Sequence, residues 1–422
     1  MQKIMLTHFE SLVTNLRPEA QLLLDCARTR LDASRANRIV RRLQADIDWS
    51  YLLGMAYRHN LGPLLYRSLE AVAPSTLPEA IRAELKAQMQ VDIQGNLFLT
   101  KELLHVLALF NRRNLLALPY KGPVLAASVY HELALRPFSD LDILVHERDI
   151  LPAMNVLISC GYELIRPLRV AQAEKETQPR RVRQLVEKSP WAYQLVLAHP
   201  DRQVVVELHW RIAPKYIFPN DSDPLWQDII PVSLGRATVL SFAPENLLWF
   251  LCVHGAKHQW KRLSWLCDLA ELMRVYPHLN WDQIVAQATK LGIERRLYLG
   301  LLLAHCLLAS PLPQAIEQKI QTTPRVKALA QQVIEKIFDE TGHTEGEPHL
   351  ERLAFQLRAI DRVIDRGRYL WRFAYGSDSP MPAGQAVVNP LSSLPVLSYL
   401  HRPLRLVKTY SLSPLRRLFK VG

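Results

Sequence analysis

The stretch Leu115–Val145, LLALPYKGPVLAASVYHELALRPFSDLDILV, decides how the rest of the chain is read. An apolar run from Leu115 to Tyr120 predicts a strand, and the chain then changes character at Lys121-Gly122-Pro123. Glycine allows close backbone approach in a tight turn, and proline fits the first turn of a helix, where its missing N–H is no loss. A helix and then a second strand are therefore expected after the turn. The free N–H groups of a helix start attract phosphate, and Lys121 adds a cation beside them.

The second strand carries the acids. From Asp140 to Val145 the period of 2 points Asp140 and Asp142 to one face while Leu141, Ile143 and Val145 point to the other. Paired carboxylates on one side of a strand make a poor core and a good cation site, because like charges this close repel unless a counter-charge lies between them. Mg²⁺ suits the pair, since it takes few protein carboxylates and fills its octahedron with phosphate oxygens and water. The plain alternative is a pair of solvated turn residues. Neutralising either aspartate is expected to leave the fold intact or steadier, since it removes repulsion. A third acid follows in Gln203–Trp210, QVVVELHW, where Val204, Val206, Leu208 and Trp210 share one face and Glu207 and His209 the other. A carboxylate in so apolar a strand is costly unless it is paired, holds a metal, or sits in water on an edge strand.

Strand, Gly-containing turn, helix, Asp-x-Asp strand and a later strand with one acid resemble the nucleotidyltransferases of the DNA polymerase β-like superfamily. More closely, Lys121-Gly122, the segment Arg136–Val145 (RPFSDLDILV), Val206–Trp210 (VELHW) and His254–His258 (HGAKH) resemble a bacterial family of uncharacterised nucleotidyltransferases, over roughly residues 15 to 310. The resemblance implies an α+β fold, a small mixed β-sheet nucleotidyltransferase core flanked by N-terminal and C-terminal helical regions. It implies metal-dependent transfer of a nucleoside monophosphate from an NTP to an acceptor, with release of pyrophosphate. Asp140, Asp142 and Glu207 would be the catalytic residues and the ligands of Mg²⁺ or Mn²⁺. Lys121, Gly122, Arg136, Ser139, Lys257, His258 and Arg262 would bind the nucleotide. The acceptor, a small molecule, a protein or an RNA end, is left open. Two features depart from the superfamily: the usual Gly-Ser or Gly-Gly turn is Gly122-Pro123, and the gap from Gly122 to Asp140 is longer than usual. Both bear on the phosphate grip and leave the three acids in place.

Working outward, the 422 residues exceed one average core, so two or three packed units are expected. Hydrophobic content of 49% and charged content of 22% are those of an ordinary globular protein. The net charge of +12 points to an anionic partner: nucleotide, nucleic acid or membrane surface. Five scattered cysteines without a Cys-x-x-Cys pattern read as buried free thiols of a reducing, cytoplasmic compartment. The opening MQKIMLTHFESLV is broken by His8, Glu10 and Ser11, so no signal peptide is expected. The longest apolar stretch, Leu297 to Leu308, contains His305 and falls short of the roughly 20 residues a bilayer needs.

In chain order, residues 1–112 read as a helical N-terminal region, 113–240 as the core, 241–374 as a C-terminal helical domain, and 375–422 as a linker with a basic amphipathic tail. In the first, His59 reads as a surface or capping residue rather than a ligand. In the second, Arg166 to Lys188 holds seven basic residues, a solvated helix or loop or else a mobile flap that steers an anionic substrate. In the third, His254 and His258 are four apart, a spacing that zinc ligands use, with Asp268 nearby. Gly255 and the lack of a Glu after His254 weigh against zinc, leaving a polar lining or an interhelical network. The last 22 residues hold six Lys or Arg and no acid, and suit docking on an acidic surface of the protein itself, on RNA or on anionic lipid. The rival to the enzyme is therefore a catalytically idle fold serving as an RNA-binding or membrane-surface adaptor.

Overall fold

The computed structural model describes Phe9 and residues 11–166, 178–189, 191–218, 223–339 and 349–375. The basic tail and the first part of the basic stretch lie outside the described residues. Five helices come first: α1 (Pro18–Cys26), α2 (Ala33–Arg42), α3 (Trp49–Arg58), α4 (Gly62–Val72) and the long α5 (Glu79–Asn111). Their starts follow ordinary capping chemistry, with Asp32 accepting from the Arg35 N–H and Asp48 from the Tyr51 N–H. Proline stands in the first turns of α1 and α4.

The core unit runs β1 (Ala117–Pro119), α6 (Gly122–Leu125) continuing into a π-helical turn (Ala126–Tyr130), β2 (Leu141–Val145), α7 (Ile150–Ser159), β3 (Glu163–Arg166), α8 (Gln178–Lys188), β4 (Gln194–His199) and β5 (Val204–His209). These strands form one sheet in the order β1-β2-β5-β4-β3, mixed because β2 and β5 are parallel while the other neighbours are antiparallel. The parallel register sets Asp142 beside Glu207. Strand β5 therefore lies between β2 and β4, which removes the edge-strand alternative for Glu207.

Period 2 splits the sheet into two faces. Leu141, Ile143, Val145, Val204, Val206 and Leu208 are buried in one apolar cluster with Leu99, Leu103, Val106 and Phe110 of α5. That spacing along α5 makes one helical stripe, which is why the long helix backs the sheet. Leu144 faces the other way, into a larger cluster that also takes in the first four helices and the helices that follow the sheet. In α8, Val182 and Val186 join the sheet-side cluster, so residues 178–188 are a packed helix with exposed arginines rather than a free flap.

A short helix α9 (Asp223–Gln227) leads into a hairpin, β6 (Ile229–Leu234) and β7 (Ala237–Phe242), that the sequence reading did not foresee. Helices α10 (Pro244–Lys257), α11 (Leu263–Val275), α12 (Trp281–Leu291), α13 (Glu294–Leu308), α14 (Gln314–Gln321), α15 (Pro324–Ile337), α16 (His349–Ala359) and α17 (Val363–Tyr375) complete the described chain. No helix among the described residues is long and apolar enough to cross a membrane.

Polar links hold the N-terminal helices to the later ones. Arg28 and Arg35 both donate to the Leu308 carbonyl at the end of α13, at 2.8 and 2.9 Å, satisfying an acceptor that a helix end leaves open. His59 is 1% exposed, which corrects the expected surface placement. It is the C-cap residue of α3, its Nδ1 accepts from the Leu263 N–H, and its carbonyl accepts from the Ser264 N–H. The first amides of α11 thus find partners in the loop after α3.

Gly255 has a packing reason the sequence did not disclose. The indole of Trp260, fully buried, lies against it so closely that a Cβ at 255 would stand only 2.4–2.5 Å from three of its ring carbons, and Gly300 of α13 bounds the same ring from another side. Gln259 and Trp260 both take left-handed backbone conformations, φ 56° and 54°, to make this fold-back. Gly255→Ala is expected to destabilise the protein by about 1–3 kcal/mol through overpacking, measured by urea unfolding. It should also shift the turn that carries His258 and Arg262.

Candidate active site

One cavity of about 340 Å³ gathers the predicted residues. Lys121, Gly122, Arg136, Ser139, Asp140, Asp142, Glu207, Lys257, His258 and Arg262 all line it. Each arrives by a different route. Gly122, at φ 50°, makes the turn after β1 that sets Lys121 beside the acids. Asp142 lies within β2 and Glu207 within β5, side by side through the parallel register. Asp140 stands one residue before the strand begins. Lys257 and His258 come from the end of α10, and Arg262 from the turn before α11.

The loop leading to Asp140 is pinned. Asn96 of α5, 1% exposed, donates from Nδ2 to the Leu133 and Arg136 carbonyls, and its Oδ1 accepts from the Phe138 N–H. The Arg136 guanidinium makes a two-pronged pair with Asp268 of α11, at 2.7 and 2.9 Å, and Tyr130 Oη donates to the same carboxylate at 2.7 Å. Arg136 thus lines the cavity with its Nε and Nη2 committed to Asp268. The same pair takes Asp268 away from any joint role with His254 and His258, whose rings lie 4.7 Å apart and line the cavity together with Trp265. The polar-lining reading fits these two histidines better than zinc does.

Charge is balanced locally. Lys121 Nζ lies 2.8 Å from Asp142 Oδ1, and His209 Nε2 lies 3.2 Å from the same oxygen and 3.5 Å from Glu207 Oε2. Burial pushes the Asp142 carboxyl up, but Lys121 and His209 overturn that and hold it well below the usual carboxylate range. Glu207 is held low in the same way, with His209 outweighing burial. At Asp140 the balance runs the other way: burial and the Asp142 charge outweigh Lys121 and raise its pKa to about 6. Burial and Lys121 lower Lys257 to about 8, and burial and Lys257 lower His258 to about 2. Burial, then Lys121, puts His254 well below its ordinary value, so both imidazoles are neutral hydrogen-bonding groups near neutrality.

The two aspartates consequently differ. Asp140 has a folded-state pKa of about 6 against an ordinary 3.8. Its ionisation therefore costs stability that grows as pH rises from about 4 to about 6 and stays constant above. Without added metal, Asp140→Asn should melt higher than the wild type above pH 6, and the gap should close as pH falls towards 4. Melting curves across that range check it. Asp142→Asn should not share the gain, because its charge is already matched by Lys121 and His209.

A divalent cation suits the donor set. Asp142, Glu207 and His209 place one ligand atom each within 4.8 Å of one another, two carboxylate oxygens and an imidazole nitrogen. Asp140 lines the same cavity outside that group. The sequence shows His209 as the face-mate of Glu207, and its place beside Asp142 appears only when β2 is laid against β5. Tyr120, Tyr193, Phe250 and Asn60 also line the cavity. Asn60 follows His59 at the end of α3, whose contact with α11 helps bring it there.

Among known proteins, the sequence profile of a family described as uncharacterised nucleotidyltransferase matches residues 45–309. No curated protein and no solved structure gives a match.

Proposed function

Since the chain belongs to this uncharacterised nucleotidyltransferase family and is thereby a transferase, we propose that it moves a nucleoside monophosphate from an NTP to an acceptor at the Asp142–Glu207 cavity, in a reaction that needs a divalent metal. The observation that carries the reading is the meeting of Asp142, Glu207 and His209 on one sheet face, in a cavity that also holds Lys121, Lys257 and Arg262. Carboxylates alone would repel a triphosphate, and cations alone would bind it without activating an acceptor. A divalent cation, Mg²⁺ or Mn²⁺, supplies charge stabilisation at the phosphate and a more acidic acceptor hydroxyl when it is bound.

The chain's own residues divide the rest. Asp142 and Glu207, with Asp140 at the cavity edge, hold the cationic side. Lys121, Lys257 and Arg262 draw the phosphate chain and offset its charge, an electrostatic role that a closed, partly buried site strengthens. Gly122 keeps the backbone close. His254 and His258, neutral, donate or accept hydrogen bonds without adding charge. Asn96 and the Arg136–Asp268 pair fix the Ser139–Asp140 approach, a positioning role.

Asp140 argues against the idle adaptor, because burial and the Asp142 charge make it costly to ionise beside two further acids, a cost that a bound cation offsets. The polyanion or membrane contact proposed for the tail rests on its six cations alone. The test is incubation with each α-labelled NTP in cell extract with Mg²⁺ or Mn²⁺, with and without chelator. Label on one cellular species, lost with chelator, supports the reading and identifies the acceptor. No transfer of label with any of the four nucleotides contradicts it.

A further inference from the structure

We infer that His209 is itself a ligand of the cation held by Asp142 and Glu207, and that this nitrogen donor makes the position prefer a divalent transition ion, Mn²⁺, over Mg²⁺. The inference rests on the metal-dependent reading above. Glu207 and His209 share a face because they are two apart in β5, and the parallel register sets them against Asp142 and Leu144 of β2. A cation with bonds of about 2.0–2.2 Å brings neighbouring ligands to about 3 Å from one another. The separations of 3.2 Å to Asp142 and 3.5 Å to Glu207 are already close to that spacing.

His209 is also 3% exposed, and neither ring nitrogen has an aligned hydrogen-bond partner among the described residues. Buried polar atoms without partners are rare, and those that occur in a cavity lined by acids call for an occupant. The ring is held by aromatic neighbours rather than by hydrogen bonds, with Tyr120 edge-on at 5.6 Å and Tyr193 at 5.9 Å. Nε2 faces both carboxylates, where a bound cation takes the place of the proton they draw to it.

Donor chemistry sets the preference. Mg²⁺ favours oxygen ligands and parts reluctantly with its water, whereas imidazole suits the later divalent ions and Mn²⁺ accepts mixed nitrogen and oxygen donors. Losing the imidazole should therefore cost Mn²⁺ more than Mg²⁺.

Titration of Mn²⁺ by electron paramagnetic resonance and of Mg²⁺ by calorimetry, on the full chain without nucleotide, tests this. The wild type should bind Mn²⁺ at least about tenfold more tightly than Mg²⁺. His209→Gln should lower Mn²⁺ affinity by about tenfold or more and barely change Mg²⁺. His209→Asp, which keeps a donor but makes it oxygen, should narrow the gap between the ions. Circular dichroism confirms that each variant is folded, and the wild-type comparison stands without either. Equal affinity of the wild type for both ions, or unchanged Mn²⁺ binding in His209→Gln while Asp142→Asn loses both ions, overturns the role of His209 and leaves the metal reading standing. Failure of the wild type to bind either ion overturns both.

Discussion

Asp142→Asn is expected to lower nucleotidyl transfer by at least about 10²–10³-fold, the scale on which removing one preorganised electrostatic group acts at a transition state. Asp142 is the point where three partners meet: the Glu207 side of the sheet, Lys121 at 2.8 Å and His209 at 3.2 Å. An amide in its place keeps the shape and removes the charge that Lys121 and His209 answer. The variant should also be less stable than the wild type, because a Lys121 side chain 14% exposed loses its counter-charge. Asp140→Asn goes the other way in stability, so the two adjacent substitutions separate by sign. Pyrophosphate release and melting temperature, measured on both, check the pair. A turnover for Asp142→Asn within a few-fold of the wild type would remove Asp142 from the chemistry.

The second large effect is structural. Asp268→Ala should destabilise the protein by about 3–5 kcal/mol, the usual cost of breaking a buried ion pair by removing one partner. Arg136 is 11% exposed and Asp268 1% exposed, so water cannot replace the lost carboxylate. Tyr130 loses its acceptor in the same step. Since Arg136 precedes the Ser139–Asp140 approach to the cavity, activity should fall even at temperatures where the variant stays folded. Urea unfolding measures the first effect. A loss below about 1 kcal/mol would show that the pair is neutral in balance and that Asn96 alone holds the loop.

Much of this arrangement was legible in the residues. Period 2 around Asp140–Val145 and Val204–Trp210 gave two strands and their faces, since one face of each packs in the apolar cluster while the other carries polar cavity residues, and that difference leaves the alternation in plain view. The Gly122-Pro123 turn and the helices from Pro244 to Leu308 were equally readable, because Pro and Gly punctuate them. What stayed hidden depends on contacts far apart in sequence. Nothing around Asn96 or His59 signals that the first clamps the Arg136 loop or that the second caps α11. Nothing around Arg136 reveals that Asp268, well over a hundred residues later, engages its Nε and Nη2 while it lines the cavity. Asp140 and Asp142 looked equivalent because period 2 cannot place Lys121, and Lys121 is what separates their charges. His209 was on the page as the face-mate of Glu207, but imidazoles in apolar strands are read as packing until a neighbouring strand supplies a second ligand. Pro231 in its first strand obscures the β6–β7 hairpin in the sequence, because proline seldom sits within a strand.

Glu207 tests the central claim most directly, because under the proposed function it serves the cation and not the phosphate chain, which Lys121, Lys257 and Arg262 draw. Nucleotide is titrated against wild type and Glu207→Gln with metal present, and pyrophosphate release is followed in the same samples. The account predicts nucleotide binding within a few-fold of the wild type, with Asp140, Asp142 and the basic wall intact, and release slowed by about 10²-fold or more. Equal rates of release from the two proteins would contradict it and leave Glu207 a half-buried neighbour of His209 with no part in the chemistry.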